Sequence, residues 1–193
     1  MTNTKDLRYV RTEEAIRKAF MDLVGETPIA SITASAVCRR AGISRNAFYL
    51  HHASVSDLYA AMVGELVNDV RTESPSSAER RASTGADDAF YESIVMSLAR
   101  HENLLRALLP SDDGSLAKCL ADGIEAAFIE AALHFGERGG SFEHQLHCAY
   151  AAWALVGFAS RWIAGTDRPL PEGLETFQEL HESAVNASVR FLM

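Results

Sequence analysis

The sequence is sparing in the residues that build covalent or metal-held scaffolds. Its three cysteines, Cys38, Cys119 and Cys148, are scattered, with no CxxC pair and no regular spacing. That argues against a disulfide framework or a zinc site and for a reducing, cytoplasmic setting. Long apolar runs are also missing. The longest uncharged apolar stretch, Cys148 to Ala159, is well short of the ~20 residues that cross a bilayer, and no signal-like run opens the chain. A soluble protein with no membrane partner is expected. Nor is there a phosphate-cradling glycine loop, a GxSxG elbow or an HExxH pair, and the carboxylates scatter along helix faces. An enzyme is therefore only a runner-up class, no cofactor is implied, and a helical interaction adaptor is the other competitor.

Positive charge is scarce overall, with 18 Lys and Arg against 26 Asp and Glu, a formal net charge of -8. Spread evenly, that balance would disfavour nucleic acid. It is not even: residues 1–60 hold eight basic and six acidic side chains, net +2, while residues 61–193 hold ten and twenty, net -10. The head is mildly basic and the body acidic. Hydrophobic residues make up 48% of the 193, enough for packed cores.

The most informative stretch is Ile32 to His52. Thr33 supplies an N-cap hydroxyl for a first short helix, Val37 and Ala41 repeat on its inner side, and Gly42 stands where a left-handed turn is needed. Ser44 then caps a second helix that can turn Ala47 and Phe48 inward and leave Arg45, Asn46 and Tyr49 outside. Two short helices about a tight turn are a helix-turn-helix. Its second helix can offer Arg to guanine and Asn to adenine in the major groove.

The arrangement Ile32-Thr33, Arg40-Ala41-Gly42-Ile43-Ser44, Phe48-Tyr49 and Ser54 through Leu58 resembles the TetR/AcrR transcriptional regulators, with the close match covering Thr12 to Met62. The resemblance implies that Tyr49 and His51 contact phosphates, that Ser35 reaches DNA, and that Phe48 is a core position. With Thr33, Ser44, Arg45 and Asn46 these make the expected DNA-binding set. Two positions depart from the pattern: His52 stands where an aromatic or apolar residue is usual and is read as packing, and Val55 replaces a common phosphate-binding Lys.

Around this motif the chain reads as all-α. Lys5, Arg8 and Arg11 form a basic arm, and Ile16, Ala19, Phe20, Leu23 and Val24 mark a bracing helix before Pro28. Ser54 to Asp57 has capping-box form and opens a helix through Leu58, Met62, Leu66 and Val70. Thr72 to Ala86 lacks an apolar period and reads as an exposed connection. Phe90, Ile94, Leu98, His101, Leu105 and Leu108 share a face of one helix ended by Pro110 and Gly114; Leu116 to Phe135 mark the next, ended by Gly139-Gly140. Phe142 to about Ala164 is apolar on most of its circumference and must be buried. After Gly165, Pro169, Pro171 and Gly173, a last helix carries Leu174, Phe177, Leu180, Ala184, Val185 and Phe191.

The expected organisation is a three-helix DNA-binding head with its connecting helix over 8–70 and a ligand-binding, dimerising body over 85–193. Aromatic content and the resemblance together imply a small-molecule effector among Phe90, Ile94, His101, Phe128, Tyr150 and Trp153, and a homodimer through Trp153, Gly157, Trp162 and Phe177. His144, His147 and Cys148 lie at metal-compatible spacing on one helix, but no second cluster supports them and no metal is expected. The resemblance further implies repression of an inverted-repeat operator in double-stranded DNA, relieved by the effector.

Overall fold

The computed structural model describes residues 4–84, 88–134 and 141–181, and every regular element among them is helical, as expected. The chain divides into two compact units, Met1–Gly64 and Glu65–Met193.

In the first unit, α1 (Thr4–Val24) buries Ile16, Ala19, Phe20 and Leu23, a stripe at helical spacing. Glu26 and Thr27 close it by donating to the Leu23 carbonyl at 3.0 and 2.9 Å, and a 3-10 turn, Ile29–Ser31, comes directly after Pro28. Helices α2 (Ala34–Ala41) and α3 (Arg45–His51) both pack on α1. Phe20, Val37, Phe48 and Leu58 are fully buried and form the core of this unit. Each large side chain among them contributes about 1.5–3 kcal/mol. Helix α4 (Val55–Thr84) opens on a reciprocal cap: the Asp57 N–H donates to Ser54 Oγ at 3.0 Å, and Asp57 Oδ2 accepts from the Ala53 N–H at 3.0 Å. The shorter Asp side chain thus reaches one residue further back than the Glu of the usual box.

The division between the units falls inside α4. Residues 72–84, expected to be a connection without regular structure, are helical as far as Thr84. The missing apolar period misled the sequence reading. Glu73, Ala78, Glu79, Arg80, Arg81 and Ala82 favour a helix, but Pro75 and the Ser and Thr residues oppose one, so neither apolar period nor local propensity marks this stretch.

The second unit continues with α5 (Asp88–Arg100), α6 (Glu102–Leu108), α7 (Ser115–His134), α8 (Phe142–Gly165) and a helix over 174–181, α9. The single helix expected through His101 is two. His101 sits at φ -107°, ψ 17°, off the helical region, and its Nε2 lies 2.8 Å from Asp69 Oδ2 on α4. Apolar spacing continues across the break, which is why the sequence hid it. Ile94, Leu98, Leu105, Leu108, Leu116 and Ile124 are buried, and α7 packs extensively along α8. Phe135 and Gly139-Gly140, and likewise Ala184, Val185 and Phe191 of the expected last helix, lie outside the described residues.

One side chain, that of Arg106, ties the end of α8 to the segment 166–170. Arg106 Nη1 donates to the carbonyls of Thr166 at 2.8 Å and Ile163 at 3.3 Å, and Nη2 to that of Arg168 at 2.6 Å. Glu102 Oε1 accepts from Arg106 Nε at 2.9 Å, and Glu102 Oε2 accepts the Leu170 N–H at 3.0 Å. Carbonyls at a helix C-terminus lack intrahelical partners, and Arg106 reaches one of them, that of Ile163, together with two from the segment that follows. Arg106→Ala should lower stability by about 1–3 kcal/mol, read as a lower urea midpoint at unchanged slope. An unchanged midpoint would show that the α8 terminus is satisfied without it.

Candidate nucleic-acid interface

The helix-turn-helix is closed by the caps its sequence prescribes. The Thr33 hydroxyl accepts from the Ala36 N–H at 3.2 Å, and the Ser44 hydroxyl accepts from the Ala47 N–H at 3.1 Å. Gly42 takes φ 67°, ψ 32°, where a β-carbon is disfavoured, and the Ile43 N–H donates back to the Cys38 carbonyl at 3.0 Å. The hydroxyls of Thr33 and Ser44 keep a proton to donate outward, since each uses only its oxygen in the cap.

With 3.6 residues per turn, α3 divides cleanly. Phe48 is fully buried and Ala47 partly so; Arg45, Asn46 and Tyr49 are exposed, as are Thr33, Ser35 and Ser44. Leu50 shares the exposed face at 79% exposure, a residue the sequence reading passed over because only polar groups were sought there. Arg8, Arg11 and Arg39 are also exposed, whereas Arg40 is engaged by both carboxylate oxygens of Glu26 at 3.0 and 2.6 Å.

Seven residues cannot hold a helix in place by themselves, and α3 is fixed from behind. Glu13 on α1 receives His51 Nδ1 at 2.9 Å and His52 Nε2 at 3.0 and 3.1 Å. Arg17 Nε donates to the same carboxylate at 2.6 Å. Both imidazole side chains are nearly enclosed, at 4% and 7% exposure, and the Tyr9 ring stacks on His51 with centroids 3.9 Å apart. His52 is thus the packing residue expected. His51 is placed differently from the other proposed DNA ligands: with its Nδ1 hydrogen given to a carboxylate, Nε2 can donate to a phosphate only as imidazolium.

Burial alone would raise the Glu13 carboxyl. The Arg17 hydrogen bond, the charges of His52 and Arg17 and the hydrogen bond from His51 outweigh it and hold the carboxyl below its usual value of 4.5. A group depressed in the folded state contributes stability fully above its unfolded value and loses it as pH falls toward the folded one. Glu13→Gln should therefore destabilise the protein at about pH 7, by about 1 kcal/mol allowing for solvent screening. The gap to wild type should narrow as pH falls from the usual carboxylate value through the lower folded one, as urea titrations at about pH 5 and about pH 3 would measure. A gap independent of pH would contradict this role for Glu13.

In the body, the expected ligand residues are dispersed. Ile94 is core, His101 is at the α5–α6 break, and Trp153 is half exposed; the Phe90 side chain lies outside those described. Phe128 and Tyr150 do join one aromatic run, through two residues the sequence reading missed: Tyr91 meets Phe128 edge-on at 5.8 Å and hydrogen-bonds His181 Nε2 at 3.0 Å, and Tyr150 stacks on His181 at 6.0 Å. Neither carries a local motif. Phe177, expected at the dimer interface, is buried in this run between Tyr91 and Phe158, and Trp162 stacks on Phe158 beneath the Arg168 guanidinium. On α8, Cys148 is buried, its thiol pushed up by burial and then by Glu125, while His147 is exposed; the His144 side chain is outside those described. Among the described residues no group of three or more His, Cys, Asp or Glu could hold a metal.

An all-helical chain with a capped helix-turn-helix near its N-terminus has the fold of the TetR/AcrR transcriptional regulators, and the solved structures similar to it include two titled as members of that family. A TetR/AcrR-family regulator from Aquifex aeolicus VF5 is 19% identical with a TM-score of 0.62, over 90% of this chain and 99% of the other. The fatty acid degradation regulator FadR from Bacillus halodurans is 14% identical with a TM-score of 0.62, over 88% and 93%. The TetR family repressor AlkX from Dietzia sp. strain DQ12-45-1b, implicated in n-alkane biodegradation, is 16% identical with a TM-score of 0.52, over 88% and 95%. At these identities the likeness is one of fold. In sequence, the chain is 42% identical over 59 residues to the uncharacterized HTH-type transcriptional regulator YxbF of Bacillus subtilis strain 168. That match covers 30% of this chain and 16% of the relative. No protein-family model matches the chain.

Proposed function

We propose that this protein is a DNA-binding transcriptional regulator that acts as a homodimer on an inverted-repeat operator in the cytoplasm. The observation that carries the reading is α3 itself: it buries Phe48, is braced through His51 and His52 by Glu13, and shows Arg45, Asn46 and Tyr49 to solvent. Arg45 and Asn46, in the first turn, read base edges; Tyr49, Thr33, Ser35, Ser44 and His51 hold the backbone. No helix among the described residues is long and apolar enough to cross a membrane. Repression relieved by a small molecule is the mode proposed; the fold itself is neutral, being shared by the repressor AlkX and the operon activator DhaS. The effector would meet Phe128 and Tyr150, the two expected ligand residues that share the aromatic run of Tyr91 and His181. Its coupling to operator binding is expected to be about 1–3 kcal/mol.

Base and backbone contacts respond differently to mutation. Arg45→Ala or Asn46→Ala should cost about 1–3 kcal/mol and relax preference at one base position per half-site. Tyr49→Phe should weaken all sequences together. Fluorescence anisotropy over a panel of single-base operator variants reads both. A base-selective loss from Tyr49→Phe with a uniform one from Arg45→Ala would reverse the assignments.

The dimer is supported by a row on α8. Phe142, Leu146, Tyr150, Trp153 and Gly157 recur every three or four residues and are all exposed, the first at 70%. An apolar row of that length needs cover. Since Phe177 is already buried within the chain, the interface rests on Tyr150, Trp153 and Gly157, with Trp162 behind them. A β-carbon at Gly157 would meet nothing within 4 Å, so Gly157→Leu fits the single chain and even favours the helix by about 0.8 kcal/mol. It should nevertheless weaken the dimer, and operator affinity with it, because a single head holds half the contacts. An intact dimer by sedimentation, with unchanged affinity, would remove Gly157 from the interface.

A further inference from the structure

Among the described residues, Leu50 is the most exposed large apolar side chain, at 79%. It sits neither in a loop nor at a frayed end, since α3 is capped by Ser44 and anchored at its other end through His51 and His52. Fully burying a leucine is worth about 1.5–3 kcal/mol, and here the fold holds one in water. Leu50 completes a face with Arg45, Asn46 and Tyr49, at positions i, i+1, i+4 and i+5 of one helix. Whatever surface receives those three polar groups receives Leu50 as well.

In the major groove, base edges offer donors, acceptors and one apolar feature, the C5-methyl of thymine. A leucine gains nothing from a phosphate oxygen or a carbonyl, so the methyl is the partner its chemistry selects. One helical turn separates Leu50 from Asn46, about 6 Å along the axis. At about 3.4 Å per base pair, the thymine lies within about two pairs of the base Asn46 reads.

We infer that Leu50 reads a thymine methyl in each operator half-site, making it a specificity-determining residue for an A·T pair. This rests on the reading that α3 enters the major groove. The probe is the duplex that the full-length chain enriches from random DNA, with each thymine in turn replaced by deoxyuridine, which removes the methyl alone. Wild type should bind about fourfold more weakly at one thymine per half-site, the equivalent of about 0.8 kcal/mol for one buried methyl-sized group. Leu50→Ala should bind thymine and uracil duplexes alike at that position, while Leu50→Met keeps the difference. Removing an exposed side chain leaves the core intact, and circular dichroism verifies the fold of each variant. If DNA is enriched but no thymine shows the effect, or Leu50→Ala retains it, the assignment to Leu50 is overturned and the DNA-binding reading stands. If no duplex is enriched, the DNA-binding reading itself fails and the Leu50 assignment goes with it.

Discussion

A single carboxylate, that of Glu13, fixes the C-terminal end of α3. It lies on the long α1, whose own position is fixed by Ile16, Ala19, Phe20 and Leu23, and it grips the last residue of α3 and the one after it. Arg17 supplies a compensating charge, without which a partly enclosed carboxylate would be expensive. With Phe48 buried at the middle of α3 and His51 and His52 held at its end, little rotational freedom remains for the helix. The outward direction of Arg45, Asn46, Tyr49 and Leu50 is the consequence.

That constraint was invisible in the sequence, while the motif it supports was plain. Thr33, Gly42 and Ser44 act through bonds spanning three to five residues, so local chemistry reveals them. Glu13 and His51 are 38 residues apart, and no local spacing links them. His52 could be judged a packing residue by its position in the motif, but not assigned a carboxylate. Exposure was likewise legible only for polar groups. Leu50 looks like one more core leucine until its helix is oriented.

The same asymmetry runs through the second unit. Apolar spacing located every described helix there, yet could not show that His101 interrupts one or that residues 72–84 extend another. The break at His101, where the side chain meets Asp69, leaves the hydrophobic pattern intact, and residues 72–84 have no apolar pattern to show. The apolar circumference of α8 is expected to be buried all round, yet within the single chain the row of Phe142, Leu146, Tyr150 and Trp153 is exposed. In the fold the inner face, with Ala152, Leu155 and Val156, parts from the outer row of Tyr150, Trp153 and Gly157, a division that apolar content alone does not show. Phe177 and Trp162, equally apolar in sequence, turn out to serve the chain's own aromatic run.

The central claim is that two braced recognition helices, one from each protomer, read DNA together. Selection of bound sequences from random duplex DNA by the full-length protein tests it most directly. The account predicts enrichment of an inverted repeat whose half-site centres lie about 34 Å, one helical turn, or a multiple of it apart. Enrichment of a single unrepeated site, or of no sequence at all, would contradict it.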